Sequence, residues 1–363
     1  MKKNKKSLVI LLSLVLSLTL LAGYSAAATA AQPPIIWKVQ GYTSAGTLYD
    51  VYGKSLADNI NAMSGGRLVI EWYPADSIVP VIEGPTAVRD GILDGAWDYA
   101  GLWASIDAGF PLFCSSPGKF SDPMDMVGWY YQGGGEKLLQ EAADNAKLNV
   151  KIILAGIHDG EDFMWSNKPI TEIADMKGIT LRMMPIMGDV LSKNGLSVAF
   201  ISGTEIVAAM ERKVVDAGEY SIPALDKTFG FQDVAKFVAR PGLHQPTAVQ
   251  QLYVNKAKWD KLPDDLKAIV QAACKNSIVN MLTDATVQNV DALEYFKSKG
   301  ITVTQLSDDA IATMLQWVDK YYEQFATEGT LMRKIVDSQN AYLKKVAAYK
   351  DSLRMPYPDW AYK

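Results

Sequence analysis

The sequence predicts an α/β protein of two lobes that exchange segments, finished by a long C-terminal helix. Three observations predict it. Short β-like runs alternate with helical spacing up to residue 155, the order of a mostly parallel sheet covered by helices. Further strands recur beyond that point with the chain passing back and forth, which argues for shared lobes rather than two clean domains. The last third is almost wholly helical. With 363 residues, 49% apolar and 21% charged, the chain has the length for two lobes and the composition of a globular protein. A net charge of −4 offers no basic surface for nucleic acid. Nine tryptophans and 17 tyrosines suit an aromatic small-ligand cleft as well as a core.

Residues 1–30 read as a signal peptide, with cleavage after Ala28 or Ala30. Lys2, Lys3, Lys5 and Lys6 precede an uncharged apolar run from Leu8 to Leu21, and small residues follow. The run is short for a membrane span. Leu21-Ala22-Gly23 is followed by Tyr24, so no thiol is there to carry a lipid. The expected product is an exported, periplasmic protein that is not a lipoprotein. Cys114 and Cys274 can pair in that compartment, but spacing does not decide it, and Cys274 sits in a helical pattern as a small hydrophobe.

Residues 31–155 form mainly the first lobe. Strands are expected at Ile35–Tyr42, Leu68–Tyr73, Trp97–Trp103 and Val150–Ala155. Helices are expected at Gly46–Met63, Glu83–Leu93 and Pro123–Lys147, the last broken at Gly133-Gly134-Gly135, which lacks phosphate-loop spacing. Residues 156–254 form mainly the second lobe with crossing strands. Gly156–Gly160 crosses, and strands follow at Asp162–Ser166, Leu181–Met184, Ser197–Phe200, Val214–Tyr220, Val234–Ala239 and Ala248–Asn255. Ser202 and Glu205 have capping-box spacing for a helix to Arg212. Residues 255–363 are the helical region. One helix runs from Pro263 to Lys299, and another from Ser307 to Leu353 with a break at Gly329. Such helices brace both lobes or pair with a second copy.

Arg182 stands in an apolar strand and is a planar fork for a carboxylate, or the partner of a structural one. Glu219, beside Tyr220, ends another strand and can hold a cation or accept a hydroxyl. Strand ends are where α/β sheets place ligands. His158 with Glu161 or Asp159 is the rival reading, an acid/base pair of an exported enzyme. Neither His158 nor His244 has a metal partner at helical or hairpin spacing, and GxSxG and GxGxxG are absent.

Several stretches then resemble one family. They are MSGGRLVIEWYPADSIVP (63–80), DMKGITLRMMP (175–185), AAMERKVVDAGEYSIP (208–223) and PGLHQPTAVQQLYVNKAKWDKLP (241–263), with WYYQGGGEKLLQE (129–141). In this order they resemble the extracytoplasmic solute receptors of TRAP transporters, the DctP-type family, from about Trp37 to Trp360. The last two are similar to the subgroup that binds 2-oxo acids and lactate with a metal ion.

The resemblance implies a two-lobed periplasmic solute-binding fold that is not an enzyme. It implies a small organic acid as ligand and the membrane subunits of a TRAP permease as partner; a homodimer through the C-terminal helix is left open by that helix's length alone. Arg182 would grip the ligand carboxylate with two hydrogen bonds. Glu219 by its side chain and Tyr220 by its carbonyl would bind a calcium or sodium ion, with no organic cofactor. Glu161 falls where the subgroup has glutamine, which makes the site more negative and favours calcium. Gln245 replaces a glutamate and Tyr220 a tryptophan. Tyr99, Trp103, Trp165 and Tyr220 are the candidates for the apolar wall.

Overall fold

A computed structural model describes residues 33–352. The expected signal peptide and the aromatics Tyr357, Trp360 and Tyr362 lie outside the described residues. The first lobe begins with β1 (Ile35–Gly41), α1 (Leu48–Met63), β2 (Leu68–Tyr73), α2 (Gly84–Arg89) and β3 (Gly95–Asp98). It continues through α3 (Pro123–Gln132), α4 (Gly135–Asn145) and β4 (Val150–His158). The second lobe takes β5 (Met164–Ser166), β6 (Thr180–Arg182), α5 (Pro185–Lys193) and β7 (Ser197–Ala199). It adds α6 (Ile206–Glu211), β8 (Ala217–Gly218), α7 (Pro223–Phe229), α8 (Phe231–Val234) and β9 (Phe237–Arg240). Then come β10 (Ala248–Asn255), α9 (Lys256–Asp260), α10 (Asp264–Ser298), β11 (Thr302–Gln305), α11 (Asp308–Phe325) and α12 (Leu331–Ser352).

The first sheet has the order β2-β1-β3-β10-β4 and the second β11-β9-β5-β8-β6-β7. Strands β1, β2 and β3 run parallel, as expected. The sheet as a whole is mixed, because β10 lies antiparallel to both β3 and β4. The reason is its route: it arrives from the second lobe without the crossover helix that a parallel neighbour requires. All eight residues of β10 are buried, which explains its nearly continuous apolar and amide composition.

Local chemistry moves several expected boundaries. Strand β3 stops at Asp98, whose carboxylate takes the Tyr99 N–H (2.6 Å) and the Tyr253 hydroxyl (3.0 Å); the chain then turns through a 3-10 segment at Ala100–Trp103. Strand β4 runs on through the expected crossing residues to His158. The 214–220 strand shrinks to Ala217–Gly218, freeing Glu219 to turn toward Arg182. Ser202 makes no cap; a short 3-10 turn precedes α6 instead. The triple glycine breaks the helix as read, with Gly134 at φ 90°.

Two segments cross between the lobes side by side, 159–163 going and 241–247 returning. Glu161 N donates to Gln245 O (3.1 Å) and Gly242 N to Glu161 O (2.9 Å). The Thr247 hydroxyl donates to His158 O (2.6 Å). A Cβ on Gly242 would meet Glu161 O at 2.3 Å, so only glycine permits this approach. Helix α10, about 50 Å long at 1.5 Å per residue, lies against β4 and α1 on one side and α7 on the other. Its buried positions Leu266, Val270, Ala273, Cys274, Ile278, Met281 and Ala285 recur at helical spacing. Cys274 is thus a core residue, and Cys114 and Cys274 are both free.

The C-terminal helices touch both lobes. Tyr321 on α11 donates to Asp189 in the second lobe (3.3 Å). On α12, Gln339 donates to Leu112 O (3.0 Å) and Ser338 accepts from Trp129 Nε1 (3.0 Å) in the first. Among the described residues no helix is long and apolar enough to cross a membrane.

Candidate functional site

The end of β6, the turn after β8 and the two crossing segments converge on one buried cluster. Arg182 comes from β6, Glu219 from the turn, Glu161 from the first crossing and His244 from the second. Arg182 Nη1 donates to Glu219 Oε1 and to Glu219 O, each at 2.7 Å, and Nε donates to Ile201 O at 3.1 Å. Nη2 meets only the Met184 sulfur at 3.8 Å. It is therefore the guanidinium nitrogen left for a ligand, and the two-bond grip has to come from its own N–H pair or from release of Glu219. Glu219 Oε1 also accepts the Met184 N–H at 2.8 Å.

His244 Nε2 lies 3.2 Å from Glu161 Oε2 and 3.5 Å from Glu219 Oε2. The second distance is an ion-pair separation without hydrogen-bond geometry, so Glu219 Oε2 is buried with no hydrogen-bond partner. One ligand atom from each of Glu161, Glu219 and His244 lies within 4.8 Å of the others. His158 Nε2 is 3.7 Å from Glu161 Oε1, and its Nδ1 is 2.7 Å from Asp159 O, a bond that fixes the ring as the Nδ1–H form.

Burial sets the charge states. It raises Glu161 to about 7, against the opposing pull of His244. Burial also raises Glu219, but Arg182 and His244 outweigh it and hold that carboxylate below its usual range. For His244 burial acts downward, and Glu219 with Glu161 overcomes it and lifts the ring to about 9. His158 is pushed down to about 4 by burial and is neutral at pH 7. The cluster therefore holds a proton between two carboxylates where a cation fits. Two carboxylates, one of them with an unpartnered oxygen, suit a hard ion.

A cavity of about 440 Å³ opens above this cluster between the lobes. It is lined by Glu161, Arg182, Tyr99 and Tyr220, together with Tyr42, Tyr49, His158, Phe200 and Gln250. Tyr49 reaches across to Ser221 (3.1 Å between hydroxyls), and the Tyr99 hydroxyl donates to the Met184 sulfur (3.7 Å).

Two expected wall residues lie elsewhere. Trp103 is buried against Phe110 and Tyr253, with its N–H on Asp98 at 3.4 Å. Trp165 stacks on Phe231 and meets Phe296 edge-on, with its N–H on Asp226 at 2.6 Å. Both indoles find core partners for ring and N–H, which is why neither faces the cleft. His244 was not expected; its signal was its place in PGLHQP, but no spacing shows which carboxylates it meets. Of the acid/base alternative, Asp159 meets His158 through its backbone O at 2.7 Å, while its carboxylate takes the Thr286 hydroxyl at 2.6 Å.

Residues 41–328 match the family described as bacterial extracellular solute-binding protein, family 7 (DctP). A monocarboxylate 2-oxoacid-binding periplasmic protein of Nostoc sp. is 24% identical over 312 residues, covering 85% of this chain and 84% of that one. Among solved structures, a TRAP periplasmic solute-binding protein of Colwellia psychrerythraea with bound calcium and pyruvate superposes with TM-score 0.82 at 23% identity. The match covers 91% of this chain and 99% of that one. A second, from Pseudoalteromonas atlantica with bound sodium and pyruvate, gives TM-score 0.81 at 24% identity, covering 91% and 98%.

Proposed function

The chain belongs to the DctP family, bacterial extracellular solute-binding protein family 7, and from that membership we propose that it is a TRAP-transporter receptor for a small 2-oxo or 2-hydroxy monocarboxylate. One observation carries the ligand class: Arg182 and Glu161 line a cavity between two lobes, with Glu219 buried behind them and bonded to Arg182 at 2.7 Å. Nη2 of Arg182 takes a ligand carboxylate oxygen. Glu161 and Glu219, with the Tyr220 carbonyl beside them, would hold a calcium or sodium ion. When bound, the ion supplies a positive centre for the ligand's own carboxylate and 2-oxygen. The pair of carboxylates favours calcium. A ligand touching both lobes stabilises the form in which they meet, and the membrane subunits read that form.

Binding without turnover fits the low basicity of His158, a weak general base at neutral pH. The signal-peptide pattern of residues 1–30 supports a receptor outside the cytoplasmic membrane. A second copy paired through α12 is tested by light scattering: a doubled mass supports it and a monomer mass removes it.

Calorimetry with pyruvate and lactate tests the reading, on protein stripped with chelator and on protein resupplied with calcium. Stoichiometric binding that returns with calcium, and recovery of the acid unchanged by NMR, is the expected result. Binding indifferent to chelator removes the ion. A chemically altered acid reinstates the enzyme reading, and no binding of either acid overturns the proposal.

A further inference from the structure

We propose that the cleft is shaped for an acid with a bulky uncharged tail, a branched or aromatic 2-oxo acid, entering head first. The inference rests on the acid-receptor reading above and names the part of the ligand that Arg182 and the two glutamates do not touch.

Size is the first argument. At roughly 30 Å³ per heavy atom, the volume share of one water, a three-carbon 2-oxo acid fills less than half of the 440 Å³ cavity.

The second is an inverted order of burial. Arg182 and Glu161 are deep, each 3% exposed, while Ile82 at 76% and Phe200 at 60% stand exposed at the mouth, beside the exposed polar residues Asp76, Ser202 and Thr204. A single exposed apolar residue needs no explanation. Here two face one cavity from opposite lobes, with Arg182 and Glu161 buried beneath them. That arrangement matches a ligand with a charged head and an apolar end.

The third is that the mouth is held in place. Gln40, itself buried, accepts the N–H groups of Ile78 (2.9 Å) and Val79 (3.2 Å) and donates to Val79 O (2.9 Å). Asp76 accepts the Val81 N–H at 2.9 Å. The loop that presents Ile82 is thus fastened to β1 and exposes that side chain by construction. On the other side the Arg182 guanidinium lies 5.7 Å from the centre of the Phe200 ring. Tyr42 and Tyr99, both lining the cavity, stack at 5.8 Å and 13° and add aromatic surface.

The fourth argument is charge. Arg182 is the only Lys or Arg among the described lining residues, and Asp76 and Glu161 line the same space. A second carboxylate on the ligand would find no cation and two acids.

The test is a calorimetric series in calcium buffer with pyruvate, 4-methyl-2-oxopentanoate, phenylpyruvate and 2-oxoglutarate. Each added buried carbon tightens binding about fourfold, so 4-methyl-2-oxopentanoate is expected to bind on the order of 50-fold more tightly than pyruvate, with phenylpyruvate also ahead of it. 2-Oxoglutarate is expected to bind most weakly. Ile82→Ser, at an exposed position that leaves the core untouched, is expected to cut the ratio of long-chain to pyruvate affinity several-fold. Pyruvate binding as tightly as its longer homologues, or 2-oxoglutarate binding best, overturns the tail inference and leaves the acid receptor standing. An unchanged ratio in Ile82→Ser overturns the placing of the tail at this mouth. No binding by any member overturns both readings together.

Discussion

Arg182 is held before any ligand arrives: three of its hydrogen bonds go to the protein, two of them to Glu219. Its removal therefore does two things. Arg182→Ala is expected to abolish acid binding and also to lower unfolding stability by about 3–5 kcal/mol, because Glu219 loses its closest charge partner and keeps only His244, at 3.5 Å. Calorimetry and denaturant unfolding separate the two effects; full stability in the variant would show that His244 alone suffices to hold the Glu219 charge. Glu161 provides a pH prediction. Its carboxyl is raised to about 7, so it is charged above that pH and protonated as pH falls through it. Cation affinity is expected to rise on the order of tenfold from pH 6 to pH 8 and to release protons. It continues to rise toward pH 9 as the proton on His244 becomes easier to displace. Glu161→Gln should flatten the step near pH 7, read by calcium titration at each pH. At this scale Arg182 and Glu219 stood out in the sequence as charges at the ends of apolar strands, whereas Glu161, in a crossing segment, was pointed to only by its place near His158 and by the resemblance. His244 was not, because its two carboxylate neighbours are far away in the chain. Trp103 and Trp165 misled because an indole in an aromatic-rich chain looks the same in a wall and in a core.

The elements that decide the site are the two crossing segments. Their backbones are so close that Gly242 has no room for a Cβ. Gly242→Ala is expected to destabilise the protein by about 1–3 kcal/mol, the usual cost of overpacking, and to weaken ligand binding because Glu161 and His244 shift with the backbone. Thermal unfolding and calorimetry check both, and a neutral variant would mean the crossings can part. Helices and long strands were readable from period and caps. Ser307, for instance, accepts the Ala310 N–H at 3.0 Å as a helix cap should. Short strands such as β6, β7 and β9 were expected where they occur, but their ends were not readable, since a side chain such as Asp98 can end a strand that β-propensity would continue. The mixed sheet was likewise hidden, because strand order is set by pairing partners and local pattern carries no record of them.

At the scale of the molecule, the last helix is part of the first lobe. Met332, Ile335 and Val336 of α12 are buried in the same core as Phe110 and Phe113. Gln339 bonds Leu112 and Ser116. Truncation after Gly329 is expected to cost about 5 kcal/mol or more from those three side chains alone, which is comparable to the whole stability of a typical domain. Loss of cooperative unfolding, followed by circular dichroism, is the expected sign; an unchanged transition would show the helix to be an appendage.

The insertion of β10 has a consequence for the order in which the chain can fold. Strands β3 and β4 are made early, but the strand that joins them begins only at Ala248. A growing chain that stops short of that point holds two halves of a sheet with nothing between them, and the α12 side of the same lobe comes later still. No N-terminal portion is complete in itself, so the closing steps wait for distant sequence and are slow. A polypeptide built this way stays open, and able to be threaded, until nearly all of it has been made.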